Sequence, residues 1–235
     1  METQRTMITL LITLGILLIS VSPVLAVPPL PSSFYGTVKI NTENVPGDAL
    51  VTATINRVQY VYTTVQIYQG HTVYSLDIPG DDPSTTGVTE GGVTGDTIVF
   101  LINGVPGNET AVWQTGTNVI RNLTIIPPAP PVVTITGPVD DALLAWEEVT
   151  TNPNGNPTVV TDYQVFRDEQ PYFTPDPTPV TGNLVDESLA LEYLHQGVMT
   201  SLANYFYIVR ACNLAGPSTD SGRVGKFSFP LVQGQ

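Results

Sequence analysis

Five acids fall close together in the chain: Asp77, Asp81 and Asp82 around Pro79-Gly80, then Glu90 and Asp96 beyond a Gly-containing stretch. Calcium takes ~6 to 8 hard oxygen ligands, and carboxylates joined by backbone carbonyls of a pliant loop are the groups that supply them. The spacing follows no EF-hand pattern, and the same residues also suit solvated turns. Ca²⁺ is therefore the one cofactor these residues suggest, and a protein with no cofactor is the other reading.

Other chemistry lacks its parts. A His base needs a partner within reach, but the two histidines, His71 and His195, lie far apart in sequence in polar, turn-like surroundings that predict surface positions. One cysteine and two separated histidines make no zinc set. Neighbouring acids such as Asp140-Asp141 and Glu147-Glu148 nominally resemble the carboxylate pair of a glycosidase, yet adjacent residues of a strand point to opposite faces. The expectation is a chain that is not an enzyme. Three aromatics, Trp113, Tyr172 and Phe173, are the candidates for a binding surface. The other reading of Tyr172 and Phe173 is that they cap the edge of a core.

The elements that would hold these residues are short. Among 235 residues there are 21 Pro and 20 Gly, and the apolar stretches between them are rich in Val, Thr, Ile and Tyr. Seven strand-like stretches precede residue 127: Phe34 to Ile40, Ala49 to Ile55, Val58 to Tyr68, Thr72 to Ile78, Thr97 to Ile102, Thr110 to Trp113 and Val119 to Ile125. Within Thr72 to Ile78 the apolar residues alternate with Ser75 and Asp77, a period of two that sends one set inward. The run Pro127-Pro128-Ala129-Pro130-Pro131 then removes backbone donors and holds the chain near polyproline II, a spacer of about 15 Å.

Charge and cysteine content narrow the partners. Eight basic residues stand against 21 acidic ones, a net charge of −13, so nucleic acid and anionic membrane surfaces are not expected partners. Cys212 is the only cysteine; with no intrachain disulfide available, hydrophobic cores must hold the fold, and its strand-like surroundings predict a buried thiol. At the start, Arg5 precedes the apolar run Met7 to Val21, and Pro23 with Val24-Leu25-Ala26 follows. This reads as a secretory signal cleaved after Ala26, with an uncleaved membrane anchor as the alternative. Asn108-Glu109-Thr110 and Asn122-Leu123-Thr124 match the N-glycosylation acceptor pattern.

Two resemblances follow. Phe34-Tyr35-Gly36-Thr37-Val38, Tyr74 to Pro83, Gly95-Asp96-Thr97-Ile98-Val99-Phe100, Asn103-Gly104, Trp113 and Asn122-Leu123-Thr124 together resemble the carboxypeptidase-regulatory-like, transthyretin-type modules of bacterial and archaeal surface proteins. Leu143-Leu144-Ala145-Trp146, Tyr163 to Arg167, Tyr205 to Ala211 and Asn213-Leu214-Ala215-Gly216-Pro217-Ser218 resemble fibronectin type III. That second resemblance implies a core position for Trp146 and a corner role for Tyr205, its hydroxyl bonded to upstream backbone.

The expected fold is all-β: a signal peptide over 1-26, a carboxypeptidase-regulatory-like sandwich over 27-126, a Pro-rich linker over 127-131 and a fibronectin type III-like sandwich over 132-235. The expected role is that of a secreted or cell-surface structural and interaction protein contacting a protein or envelope component. A carbohydrate-binding or enzyme-associated module is the alternative, with polysaccharide as its partner. Membrane association is expected only if the N-terminal segment stays uncleaved.

Overall fold

The computed structural model describes residues 29-137 and 140-228, so the signal segment lies outside the described residues. The chain is all-β, two tandem immunoglobulin-like sandwiches each with its own core. Among the described residues no helix is long and apolar enough to cross a membrane.

The first sandwich contains β1 (Ser32–Ile40), β2 (Glu43–Asn44), β3 (Leu50–Ile55), β4 (Val58–Thr64), β5 (Gln66–Tyr68), β6 (His71–Ile78), β7 (Thr97–Ile102), β8 (Val105–Val112), β9 (Asn118–Ile120) and β10 (Leu123–Ile125). One sheet runs β10-β1-β6-β5, with β2 and β9 also paired to β1; the other runs β4-β3-β7-β8. The period-two pattern of β6 holds: Thr72, Tyr74, Leu76 and Ile78 are buried while His71, Ser75 and Asp77 are exposed. Phe34, Tyr74 and Phe100 meet edge-on in the core, with ring centroids 5.5 and 6.1 Å apart.

The stretch from Val58 to Tyr68, which reads as one strand, is two. At Val65, buried and donating its N–H to Ala49 O at 2.9 Å, the chain leaves β3 and crosses to β6. The last stretch also divides, at Arg121-Asn122. Asn122 Oδ1 accepts the N–H of Thr37 at 3.0 Å, and Arg121 O lies 2.6 Å from where a Cβ on Gly36 would sit, so only glycine admits the crossing there.

The second sandwich places β11 (Val133–Thr136), β12 (Ala142–Trp146) and β15 (Glu192–His195) in one sheet. Its other sheet has β14 (Leu184–Ser188), β13 (Asp162–Asp168), β16 (Tyr205–Asn213) and β17 (Gly216–Pro217), with β18 (Val224–Lys226) also on β16. This is the fibronectin type III-like sandwich that the resemblance implies. Between the sheets lie Leu144, Trp146, Tyr163, Val165, Tyr207, Val209 and Ala211, with the Trp146 and Tyr163 rings 5.6 Å apart.

β16 buries both of its faces. Phe206 and Ile208, which alternation points away from the main core, pack with Phe166 of β13 and with Phe173 from the long loop after it. Cys212 is buried as expected, and desolvation pushes its thiol up to about 12, which keeps it protonated and inert at neutral pH. Tyr205 departs from its expected corner role. Its ring packs edge-on to His195, 5.1 Å between centroids, with the Arg167 guanidinium 5.7 Å from its centre. The tyrosine-to-upstream-backbone bond is made at Tyr163, whose hydroxyl accepts the N–H of Val149 at 2.8 Å.

A set of asparagines ties the two sandwiches together. Asn213 donates from Nδ2 to Ile126 O at 3.0 Å and to Thr158 Oγ1 at 3.1 Å, while its Oδ1 accepts the N–H of Ala215 at 2.8 Å. That pins the turn between β16 and β17, and Ala215 at its tip packs into the core of the first sandwich. Asn41 Nδ2 donates to Ala215 O at 3.0 Å from the other side. On β8, Asn108 Oδ1 accepts from the Nδ2 groups of Asn152, Asn154 and Asn156 at 3.2, 3.0 and 3.1 Å. One of the two glycosylation patterns thus begins at a side chain engaged in the junction.

Candidate functional site

The loop carrying the five acids closes on itself. A bridge joins Gly80 to Gly92, with Asp81 N donating to Gly92 O at 3.0 Å and Gly92 N to Pro79 O at 2.9 Å. Each carboxylate then accepts a bond close at hand: Asp77 Oδ1 from Ser33 Oγ (2.6 Å), Asp81 Oδ1 from Glu90 N (3.0 Å), Asp82 Oδ1 from Ser84 N (2.9 Å), Glu90 Oε2 from Thr85 Oγ1 (2.8 Å) and Asp96 Oδ2 from Val93 N (2.8 Å). The bonds from Ser84 hold the Asp82 carboxyl below its ordinary range. Among the described residues no three His, Cys, Asp or Glu side chains form a group that could hold a metal ion. The expected calcium set of Asp77, Asp81, Asp82, Glu90 and Asp96 does not converge, because these acids brace the loop backbone and the β1–β6 ladder instead.

Of the three expected binding-surface aromatics, one stays outside. Trp113 is 1% exposed and its Nε1 donates to Ile78 O at 3.1 Å, so it belongs to the core. Phe173 is likewise drawn under, covering the outer face of β16. Tyr172 is 88% exposed, with the Arg223 guanidinium 5.7 Å from its ring centre and 5.5 Å from that of Phe173. One exposed ring and one buried neighbour make no stacking platform at the tip of this loop.

The exposed rings that do share a face are on the first sandwich. Tyr35 of β1 and Tyr68 of β5 are 40% and 63% exposed, and both line an open groove of about 510 Å³ on the outer side of the β1–β6–β5 sheet. Register explains the placement. Tyr35 stands opposite Ser75 and Tyr68 opposite His71, odd-numbered residues of β6 that point away from the core. Ser33, opposite both Asp77 and Asn118, completes the polar end. Tyr35 and Asp77 fall within the stretches already singled out by resemblance, but Tyr68 was hidden in a run that reads as one strand.

His195 corrects a second expectation. It sits on β15 rather than in a surface loop, with Nε2 3.0 Å from Arg167 Nη1 and Nδ1 2.6 Å from the Tyr207 hydroxyl. Arginine can only donate, so Nε2 accepts and the ring proton lies on Nδ1, facing Tyr207. Burial and then the Arg167 charge hold this imidazole below its ordinary 6.5. Burial also raises the Tyr207 and Tyr193 hydroxyls, so both remain neutral beside it.

The unfolded chain therefore takes up this proton before the folded one does. The His195 contribution is fully present above about pH 6.5 and is lost as pH falls through that value toward the lower folded one. The melting temperature of the second sandwich is expected to drop between pH 7.5 and 5.5. In His195→Gln, which offers Arg167 an uncharged acceptor, that part of the drop should vanish. An equal pH slope in the variant, read by circular dichroism melts, would assign the acid sensitivity to other groups.

No protein-family model matches the chain, and no curated protein matches it. Among solved structures, a segment of titin domains aligns over 86% of this chain and 66% of its own, at 15% identity and a TM-score of 0.35. The FN1-FN3 domains of chicken CNTN1 align over 86% of this chain and 69% of that one, at 12% identity and 0.32. A Fn3-like protein from Clostridium thermocellum aligns over 46% and 98%, at 17% identity and 0.31. The chain spans only 17% and 16% of the titin kinase and twitchin kinase region chains that it also matches. At such scores these likenesses carry nothing further, and the fold itself, two tandem fibronectin type III- or immunoglobulin-like β-sandwiches, rests on strand order and the two cores.

Proposed function

We propose that the chain is an exported, non-catalytic interaction protein that acts at the cell surface or outside the cell, where two β-sandwiches are held at a set angle to contact a protein or envelope component. In this reading residues 1-26 are removed, 27-126 form a carboxypeptidase-regulatory-like module, 127-131 a spacer and 132-235 a fibronectin type III-like module. The observation that carries it is the asparagine-bonded junction, with Ala215 set into the neighbouring core. A junction of that kind serves a protein that presents surfaces in fixed register, whereas independent tethered modules have no use for it.

The acidic surface supports the same reading by disfavouring nucleic acid. The test is expression of the full chain, mass spectrometry of the product and sedimentation with envelope fragments. The expected result is a product beginning at Val27 that co-sediments saturably. An uncut chain retained in the cytoplasm, or a product that never leaves the supernatant, would overturn the proposal. A polysaccharide partner is favoured by one specific feature, the groove bearing Tyr35 and Tyr68.

A further inference from the structure

We propose that the outer face of the β1–β6–β5 sheet is a binding site for an uncharged oligosaccharide, with Tyr35 and Tyr68 as stacking platforms and Asp77, Ser75 and Asn118 as hydrogen-bonding partners of its hydroxyls. This rests on the non-catalytic interaction reading above and names the ligand class of one of its surfaces.

Tyr35 and Tyr68 keep 40% and 63% of their surface exposed on one sheet face, and Gln69 Nε2 donates to the Tyr68 hydroxyl at 3.3 Å, which leaves the two ring faces as the apolar surface of the groove. From the register, Tyr35 and Tyr68 lie four β6 positions apart and on opposite sides of that strand. That separates them by about 13 Å along the strands and about 10 Å across. A ligand touching both rings is elongated and has more than one flat, apolar face. The electron-rich faces of tyrosine attract weakly positive C–H groups, and a pyranose ring offers such groups on its flat sides.

The edges of the groove select for hydroxyls. Asp77 Oδ1 already accepts from Ser33 Oγ, which orients the carboxylate and leaves its second oxygen as an acceptor. Ser75, exposed between Asp77 and Val73, can both donate and accept, and so can the exposed Asn118 carboxamide. Among the described residues no hydrogen bond occupies either of those two side chains. A purely apolar ligand would leave these groups unpaired.

Charge and size exclude the main competitors. No Lys or Arg lines the groove, which carries Asp77 in a chain of net charge −13, so phosphate, sulfate and uronate ligands are repelled. Its volume of about 510 Å³ suits a small ligand. A protein partner buries ~800 Å² per side and would need contacts well beyond this groove.

Native gel electrophoresis through hydroxyethylcellulose, galactomannan or soluble starch tests the site, using the secreted product of the full chain alongside Tyr35→Ala, Tyr68→Ala and Asp77→Asn. Tyr68 is mostly exposed and Tyr35 partly so, and both variants are expected to stay folded, with only a small drop in melting temperature at Tyr35. At least one polysaccharide should retard the wild type, and either alanine should weaken binding at least about tenfold. Retardation unaffected by both alanines would place the sugar elsewhere and overturn the site. No retardation in any gel, with envelope co-sedimentation intact, would overturn the sugar ligand and leave the interaction reading standing. Loss of both would overturn the two together.

Discussion

Replacing Trp113 with alanine is expected to lower the melting temperature of the first sandwich by at least about 12 °C, the largest effect of any single change considered. Truncating a buried Trp costs about 3–5 kcal/mol, and each kcal/mol moves a domain of this size by about 4–8 °C. Trp113 is 1% exposed, and the loop is built around it. A Cβ on Gly92 would stand 2.6 Å from its ring and one on Gly80 2.9 Å, so both positions must stay bare for the indole to fit. Its backbone also clips the loop, Trp113 N donating to Asp96 O at 2.8 Å and Trp113 O accepting from Gly95 N at 3.1 Å. Trp113→Phe keeps most of the packing but loses the bond to Ile78 O, a smaller loss of about 1–3 kcal/mol. Calorimetry of both variants decides the matter: a shift of only a few degrees in Trp113→Ala would mean that the indole is not part of the core.

Asn213→Ala is expected to destabilise by at least about 2 kcal/mol and to uncouple the two sandwiches. The side chain is 7% exposed and satisfies three partners, the carbonyl of Ile126, the hydroxyl of Thr158 and the N–H of Ala215. Its removal strands those groups in a place water reaches poorly, at about 1–3 kcal/mol for each that finds no other partner. Without the bond to its backbone N–H, the turn holding Ala215 also loosens its seat in the first core. Scanning calorimetry should show wild-type unfolding with the two sandwiches coupled, and in Asn213→Ala two transitions that move independently. Unchanged coupling would assign the junction to the Asn108 cluster and to the seat of Ala215 held by Asn41.

Much of the architecture was legible in local pattern because a strand advertises its two faces by alternation. Tyr74, Leu76 and Ile78 in β6, and Leu144 and Trp146 in β12, are inside as that pattern requires. Alternation does not say what covers a face. In β16 it marks Phe206 and Ile208 as outward, and only the return of the loop bearing Phe173 buries them. The same ignorance misplaces Trp113 as a surface aromatic, leaves Phe173 open between a binding surface and the core's edge, where it lies, and does not single out Tyr35 and Tyr68 as exposed, since exposure depends on which residues elsewhere in the chain fold over a ring.

The sequence by itself determined the class of the molecule: short β segments set between prolines and glycines, a proline-rich break near residue 127, a net charge of −13 and a single cysteine that leaves stability to hydrophobic burial. Those properties are sums and local periods, readable without knowing which residues meet. Only the tertiary structure decided that Val65 switches the chain between sheets, that His195 faces Arg167 and Tyr207, and that the acids from Asp77 to Asp96 brace their surroundings. It also decided that Asn41 meets a turn 174 residues away. Such pairings are set by strand register and by the packing of one sheet on another, and no short stretch of chain encodes them.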